Sequence, residues 1–178
     1  MNSRQLQALV RTVPDFPAPG IMFRDLTTLF ADPAGLAATV DQLASHARSI
    51  GADAIAGIEA RGFILGAAIA AACGKGFVPL RKAGKLPVPV IEAEYELEYG
   101  NDRLELDPTL IADDANILLV DDLIATGGTA LAALGLLRRA GARVTHGAFA
   151  IDLADLGGSK ALREADCAPF SLMAYPGK

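Results

Sequence analysis

The sequence predicts a mixed α/β architecture with a central, mostly parallel sheet flanked by helices. Two observations carry that expectation. Short apolar runs at 54–58, 77–80 and 117–120 are bounded by turn residues and read as strands buried on both faces. Helical patterns separate or follow them: 62–73 ends at Gly74, and 129–140 ends at Gly141. At 178 residues the chain is long enough to bury a substantial core, and it is expected to form one domain.

Taken in order, Ser3 is placed to cap a first helix whose Leu6, Leu9, Val10 and Val13 share a face, with Pro14 ending it. A loop rich in Pro and Gly follows at 15–20. The next helix opens on Asp32 as cap and Pro33 at its first position, turns Leu36, Val40, Leu43 and Ala47 inward, and stops near Gly51. After the third apolar run and its helix, 144–151 reads as a further strand. The stretch 82–107 breaks the alternation. It has no helix pattern, carries Pro87 and Pro89, and then alternates around a Gly100-Asn101-Asp102 turn, which predicts a hairpin excursion. A long charged insertion in a compact α/β fold points to function.

Composition excludes several classes. Sixteen Lys and Arg against twenty-one Asp and Glu leave a net charge of -5 and no broad basic face, so a small-molecule partner is expected rather than nucleic acid. Cys73 and Cys167 stand far apart without C-x-x-C spacing, which predicts reduced thiols in a cytoplasmic protein. Residues 1–13 lack the apolar run of a secretory peptide. The longest apolar stretch, 63–73, falls well short of the roughly 20 residues that span a bilayer. The G-x-x-x-G pair Gly62 and Gly66 is expected to mark close packing. His46 and His146 each stand alone in the sequence, and no metal site built from protein side chains is expected.

The sharpest pattern is at 117–129: an apolar strand, then Asp121 and Asp122, then Ala125, Thr126, Gly127, Gly128 and Thr129 opening a helix. The glycines let backbone N–H groups approach an anion, the threonines add hydroxyls, and the helix start supplies partial positive charge. No Gly-Lys-Ser/Thr follows, so this is not a nucleotide-triphosphatase loop. A carboxylate pair can accept hydrogen bonds from a vicinal diol. Two acids before a glycine pair also close many ordinary strands, so the spacing alone leaves both readings open.

The full string resembles the phosphoribosyl pyrophosphate (PRPP) loop of the type I phosphoribosyltransferases. That resemblance implies that Asp121 and Asp122 hold ribose hydroxyls and that 125–129 wraps the 5-phosphate. Four further segments are similar to motifs of the adenine-specific branch. Gly57-Ile58-Glu59-Ala60-Arg61-Gly62 resembles its pyrophosphate turn, which implies Arg61 on pyrophosphate and a cis peptide between Glu59 and Ala60. Arg81-Lys82-Ala83-Gly84-Lys85-Leu86-Pro87 resembles its basic signature, implying Arg81 and Lys85 as the clamp on the leaving pyrophosphate. Tyr95-Glu96-Leu97-Glu98-Tyr99-Gly100 resembles its mobile catalytic loop, with Glu98 as proton acceptor or hydrogen-bond partner for the purine and Tyr99 as a lid over the ribose. The segment 15–25 resembles its adenine motif, implying main-chain reading by Met22 and Arg24, with the ring between Phe23 and Leu153. The family's usual Glu-Leu is here Asp152-Leu153, one methylene shorter where the purine's five-membered ring is bonded.

The resemblance runs from about Gln5 to Ala174. It implies the type I phosphoribosyltransferase fold, with a small hood from residues 1–32 and a mobile loop at 82–107. It implies transfer of the phosphoribosyl group from PRPP to adenine, giving AMP and pyrophosphate. It also implies Mg2+ carried with PRPP and a homodimer. Xanthine, hypoxanthine or orotate as the base, or a non-catalytic PRPP sensor, are the alternatives. The sensor needs a basic nucleic-acid element that this acidic chain does not offer.

Overall fold

The computed structural model describes residues 1–96 and 101–177, apart from the side chains of Glu96 and Asn101. The chain begins with α1 (Ser3–Gln7), β1 (Arg11–Val13), β2 (Phe23–Asp25), α2 (Thr27–Ala31) and α3 (Pro33–Ser49). It continues through β3 (Ala54–Ile58), α4 (Arg61–Cys73), β4 (Gly76–Lys82), β5 (Ile91–Glu96) and β6 (Asn101–Leu106). The last part runs β7 (Asn116–Ile124), α5 (Gly128–Arg139), β8 (Arg143–Leu153), α6 (Gly158–Glu164) and β9 (Ala168–Tyr175).

Seven strands form one sheet in the order β5-β6-β4-β3-β7-β8-β9. The five from β4 to β9 run parallel, and the β5–β6 hairpin joins antiparallel through β4. The predicted α/β class and mostly parallel sheet are therefore present. Alternation along the central strands builds two cores: Ile117 and Leu119 face α5 residues such as Leu134 and Leu137, while Leu118 and Val120 face Leu43 of α3 and Leu65 and Ile69 of α4. That double burial is why these strands read as unbroken apolar runs. The β1–β2 pair stands apart as a two-stranded sheet.

Asp32 caps α3 as expected, its carboxylate accepting the Gly35 N–H at 2.7 Å. The buried face of that helix is rotated by about one position. Gly35, Thr39, Leu43, Ala44 and Ala47 are buried, whereas Leu36 and Val40 are half-buried. A Cβ at Gly35 would stand 2.6 Å from Leu9 Cδ1 and 3.2 Å from the Leu29 carbonyl, so α3 lies close against the N-terminal segment there.

The first helix is corrected. Asn2, not Ser3, caps it through a reciprocal bond with Gln5, and it stops at Gln7. Val13 lies in β1 opposite Phe23, because strand pairing with β2 outweighs the helical spacing of the apolar residues. The hairpin is where expected, but Asn101 and Asp102 are strand residues paired with Glu96 and Tyr95 rather than turn residues. The strand β9 and the short helices α2 and α6 were not predicted.

Candidate active site

The C-terminal ends of two neighbouring central strands each feed a helix, and the site lies between those junctions, at the position where open parallel sheets bind ligands. After β7 the chain passes through Ala125 and Thr126 to Gly127, at φ 92, and enters α5. This turn, with Asp121, Asp122 and Arg61, lines a cleft of about 170 Å³. After β3, a cis peptide joins Glu59 to Ala60, as the resemblance implied, and α4 begins at Arg61. A Cβ on Gly62 would come within 2.9 Å of both Val120 O and Asp121 Oδ1, so only glycine lets α4 seat against the end of β7. Gly66 is equally crowded, its Cβ position lying 2.7 Å from the Phe77 ring, which bears out the close packing expected of the G-x-x-x-G pair.

Arg61 Nε stands 2.6 Å from Asp122 Oδ2, pairing a half-exposed guanidinium with a carboxylate that is 2 % exposed. The two aspartates are chained by backbone bonds: Asp122 N–H donates to Asp121 Oδ1 at 2.8 Å, and Leu123 N–H donates to Asp122 Oδ1 at 2.9 Å. Burial, and then the neighbouring Asp122 charge, pushes the Asp121 carboxyl well above the usual range. Burial also raises Asp122, with Arg61 opposing it. A buried acid beside a half-buried one is an unfavourable pair that hydroxyl donors or a cation would relieve. A pKa raised by folding stabilises the fold below the unfolded-state value near 4, and that contribution is lost as pH rises through the folded-state value. Asp121→Asn removes the repulsion, so its thermal midpoint is expected to exceed that of the wild type at pH 7–8. The gap should shrink toward pH 4. A lower midpoint for the Asn variant at pH 8 would contradict this account.

A second segment of about 370 Å³ adjoins the first through Arg61, Asp121, Asp122 and Thr129, and adds Glu59, Lys82 and Tyr95. Glu59 accepts from Arg81 Nε at 3.2 Å and from the Lys82 N–H at 2.8 Å. The Arg81 bond, outweighing burial, holds the Glu59 carboxyl below its ordinary range. Arg81 also donates to the Lys85 carbonyl at 3.3 Å. Lys82 Nζ donates to Tyr95 Oη and Asp102 Oδ2; burial works against its charge, but these two partners hold its pKa above the ordinary value. Of the three basic residues, Lys82 lines the cleft, while Arg81 is turned to Glu59 and Lys85 is exposed.

A third segment of about 320 Å³ is mainly apolar and is lined by Val13, Phe16, Phe23, Asp25, Thr27 and again Arg61. Phe16 meets Phe23 edge to face at 5.2 Å, and the Arg61 guanidinium lies 5.9 Å from the Phe23 ring centre. The loop is closed by Gly20 N–H donating to Asp15 at 2.8 Å, with Phe16–Pro17 cis. Bonds from Thr27, and then from Arg11, hold Asp25 ionised by lowering its pKa to about 2. Met22 is 37 % exposed beside this pocket's Phe23. The Arg24 side chain leaves the pocket: Nη1 donates to Thr12 at 2.7 Å and the guanidinium lies over the Tyr175 ring at 4.6 Å. Leu153 pairs with Tyr175 at the end of β8 and does not line this pocket.

The structure thus brings Arg61, Asp121, Asp122 and 125–129 together and sets Phe23 in an adjoining pocket. Glu98 and Tyr99 lie outside the described residues. Phe16, Glu59, Lys82 and Tyr95 border the site without having been singled out as its functional residues; strand alternation placed Lys82 and Arg81 on opposite sides but not which side faced the cleft. The histidines are not solitary as expected. The His46 ring stacks on Phe170 at 4.2 Å and meets His146 at 5.6 Å, away from the cleft, and burial followed by His146 lowers its pKa. Among the described residues, no three His, Cys, Asp or Glu side chains surround a common point. The carboxylates on the first segment, Asp121 and Asp122, are oxygen donors of the kind a hard divalent cation takes. No described helix is long and apolar enough to cross a membrane.

A family model described as phosphoribosyl transferase domain matches residues 26–164. The whole chain is similar to the adenine phosphoribosyltransferase of Novosphingobium aromaticivorans, 60% identical over 177 residues and covering 99% of both chains. The chain belongs to the adenine phosphoribosyltransferase family. That of Erythrobacter litoralis is 58% identical over 99% of both chains. Among solved structures, the adenine phosphoribosyltransferase of Thermoanaerobacter pseudethanolicus superimposes with a TM-score of 0.92 at 38% identity, covering 98% of this chain and 100% of that one. The adenine phosphoribosyltransferase of Saccharomyces cerevisiae, solved with adenine and an imino-altritol bisphosphate, gives a TM-score of 0.89 at 36% identity, covering 96% and 97%. The fold is accordingly the type I phosphoribosyltransferase fold.

Proposed function

We propose that the protein joins adenine to the ribose of PRPP, giving AMP and pyrophosphate, as a step of purine salvage. The observation that carries this reading is Arg61, a single guanidinium shared by the phosphate cleft, the basic segment and the aromatic pocket. Three adjoining compartments of anionic, mixed and apolar preference match a substrate pair that is phosphate at one end, ribosyl pyrophosphate in the middle and a purine at the other.

In this reading, Ala125, Thr126, Gly127, Gly128 and Thr129 hold the 5-phosphate, and Asp121 and Asp122 accept from the ribose hydroxyls. Arg61, Lys82, Arg81 and Lys85 take up charge on the departing pyrophosphate as the C1–O bond breaks through an oxocarbenium-like transition state. Arg81, paired with Glu59 in the free protein, and the exposed Lys85 turn to it when PRPP binds. Phe23 and Phe16 shelter the adenine ring, with residues 1–32 as a hood, Leu153 closing in from the far side, and the main chain of Met22 and Arg24 reading the purine edge. The purine nitrogen forms the new bond to C1 while Glu98 accepts the proton and Tyr99 covers the ribose. Mg2+ carried with PRPP would be held mainly by the substrate, would supply further charge neutralisation at the pyrophosphate, and would find in Asp121 and Asp122 the carboxylates able to take a hard cation. The exposed stripe Ile64, Ala67 and Ala71 on α4 supports a homodimer. Two unpaired thiols, one of them Cys167 with a pKa pushed up to about 11 by burial, support a reducing cytoplasmic setting.

Assay of AMP and pyrophosphate formation from PRPP with adenine, hypoxanthine, xanthine and orotate tests the reading; turnover of orotate or xanthine in preference to adenine would overturn it. Within the same assay, Glu98→Gln is expected to lower kcat by about 100-fold, the usual scale for a lost proton acceptor, with little change in affinity for PRPP. Near-normal kcat where chemistry limits turnover would remove Glu98 from the mechanism.

A further inference from the structure

The 5-phosphate loop does not stand alone. Gly158, at the start of α6, donates its N–H to the Ala125 carbonyl at 2.9 Å. The contact is tight: a Cβ on Gly158 would stand 2.4 Å from Ala125 O and 2.8 Å from Gly127 N, and a Cβ on Gly127 would stand 3.0 Å from Gly158 Cα. The next residue, Ser159, is buried and donates its hydroxyl to Asp152 Oδ2 at 2.7 Å, tying the start of α6 to the end of β8. Asp152 in turn sits opposite Ile124, the last strand residue before the loop. Its other oxygen, Oδ1, is buried without a partner. Ser159 is therefore the only side-chain donor to this carboxylate among the described residues. Asp152 lines none of the three segments of the cleft.

We propose that Asp152 and Ser159 are positioning residues for the 5-phosphate, acting through Gly158 on the peptide between Ala125 and Thr126. A carbonyl turned toward the cleft would repel a phosphate. The Gly158 N–H holds the Ala125 carbonyl toward α6, and because a trans peptide is planar with its C=O and N–H opposed, the Thr126 N–H then points the other way, into the cleft that Thr126 lines. Without the Ser159 hydroxyl, the buried Asp152 carboxylate loses its partner and has to move, and Gly158 moves with it. The shorter Asp at this position thus serves the phosphate end of the substrate rather than the purine end. The proposal rests on the reading of 125–129 as the 5-phosphate loop.

Titration calorimetry with ribose 5-phosphate and, separately, with inorganic pyrophosphate tests it. Ser159→Ala is expected to weaken ribose 5-phosphate by about tenfold, the scale of one hydrogen bond to a charged group, while pyrophosphate affinity stays unchanged. In turnover, KM for PRPP should rise and KM for adenine should not. Asp152→Ala should give the same loss, the double variant no more than either single one, and Ser159→Thr, which keeps the hydroxyl, should restore binding. Normal ribose 5-phosphate affinity in both Ala variants overturns the brace, as does a parallel loss of pyrophosphate affinity, the mark of a general structural defect. Failure of the unaltered protein to bind ribose 5-phosphate overturns the loop reading itself, and the brace with it.

Discussion

Adenine is expected to be preferred over hypoxanthine by on the order of 100-fold or more in kcat/KM, from two buried polar contacts worth about 1 to 3 kcal/mol each. The argument turns on which atoms do the reading. If the Arg24 N–H donates to purine N1 and the Met22 carbonyl accepts from the 6-amino group, hypoxanthine reverses both partners, presenting N1–H to a donor and O6 to an acceptor. The strand β2 that carries Arg24 belongs to a two-stranded sheet, so one backbone edge is left without a strand partner. Main-chain reading also separates the backbone of Arg24 from its side chain, which is engaged by Thr12 and Tyr175. Arg24→Ala should therefore lower activity through a loosened hood while leaving the base preference intact. Comparable kcat/KM for the two bases would refute the adenine assignment, and main-chain reading with it, while leaving phosphoribosyl chemistry in place.

Arg61→Ala is expected to cost on the order of 10³-fold in kcat/KM, combining a lost charge at the departing pyrophosphate with damage to the ribose site. The second contribution follows from the pairing of Arg61 with Asp122, whose burial leaves it without a counter-ion once the guanidinium is gone. Protonation of the orphaned acid then removes the acceptor that the ribose needs. Arg61→Lys keeps a charge but not the planar fork, and should recover only part of the loss. A kcat/KM for Arg61→Ala within about tenfold of the wild type would show that Arg61 is not central, a result measurable in the same adenine assay.

What was legible in the sequence was local. Asp121, Asp122 and the glycines after them announce a strand, a turn and a helix start within thirteen residues, and the structure folds them so. Asp32 and Pro33 likewise carry their helix start in their own chemistry. What escaped depended on partners distant in the chain. The apolar spacing of Leu9, Val10 and Val13 fits a helix until β2 is known to lie alongside β1. The order Arg81-Lys82 does not say which cation faces the cleft; Glu59, on another strand end, decides it by taking Arg81. His46 and His146 are one hundred residues apart and become neighbours only through the packing of α3 on the sheet. The destination of Asp152 was hidden for the same reason, since Ser159 lies across a turn that passes through Gly157 at φ 81.

The order of strands has a mechanical consequence. The strands that present the phosphate loop and the pyrophosphate turn, β7 and β3, are interior to the sheet and held on both sides, whereas the β5–β6 hairpin pairs with β4 at only two positions, Arg81 with Glu105 and Lys82 with Leu104, and is otherwise held by packing, with Tyr95, Leu104 and Leu106 buried in the core on α5. Displacing the hairpin breaks few ladder bonds; displacing the phosphate loop breaks many. One end of the substrate is thus gripped by backbone braced on both flanks, while the rim of the sheet is held by the burial of Tyr95, Leu104 and Leu106 more than by its ladder.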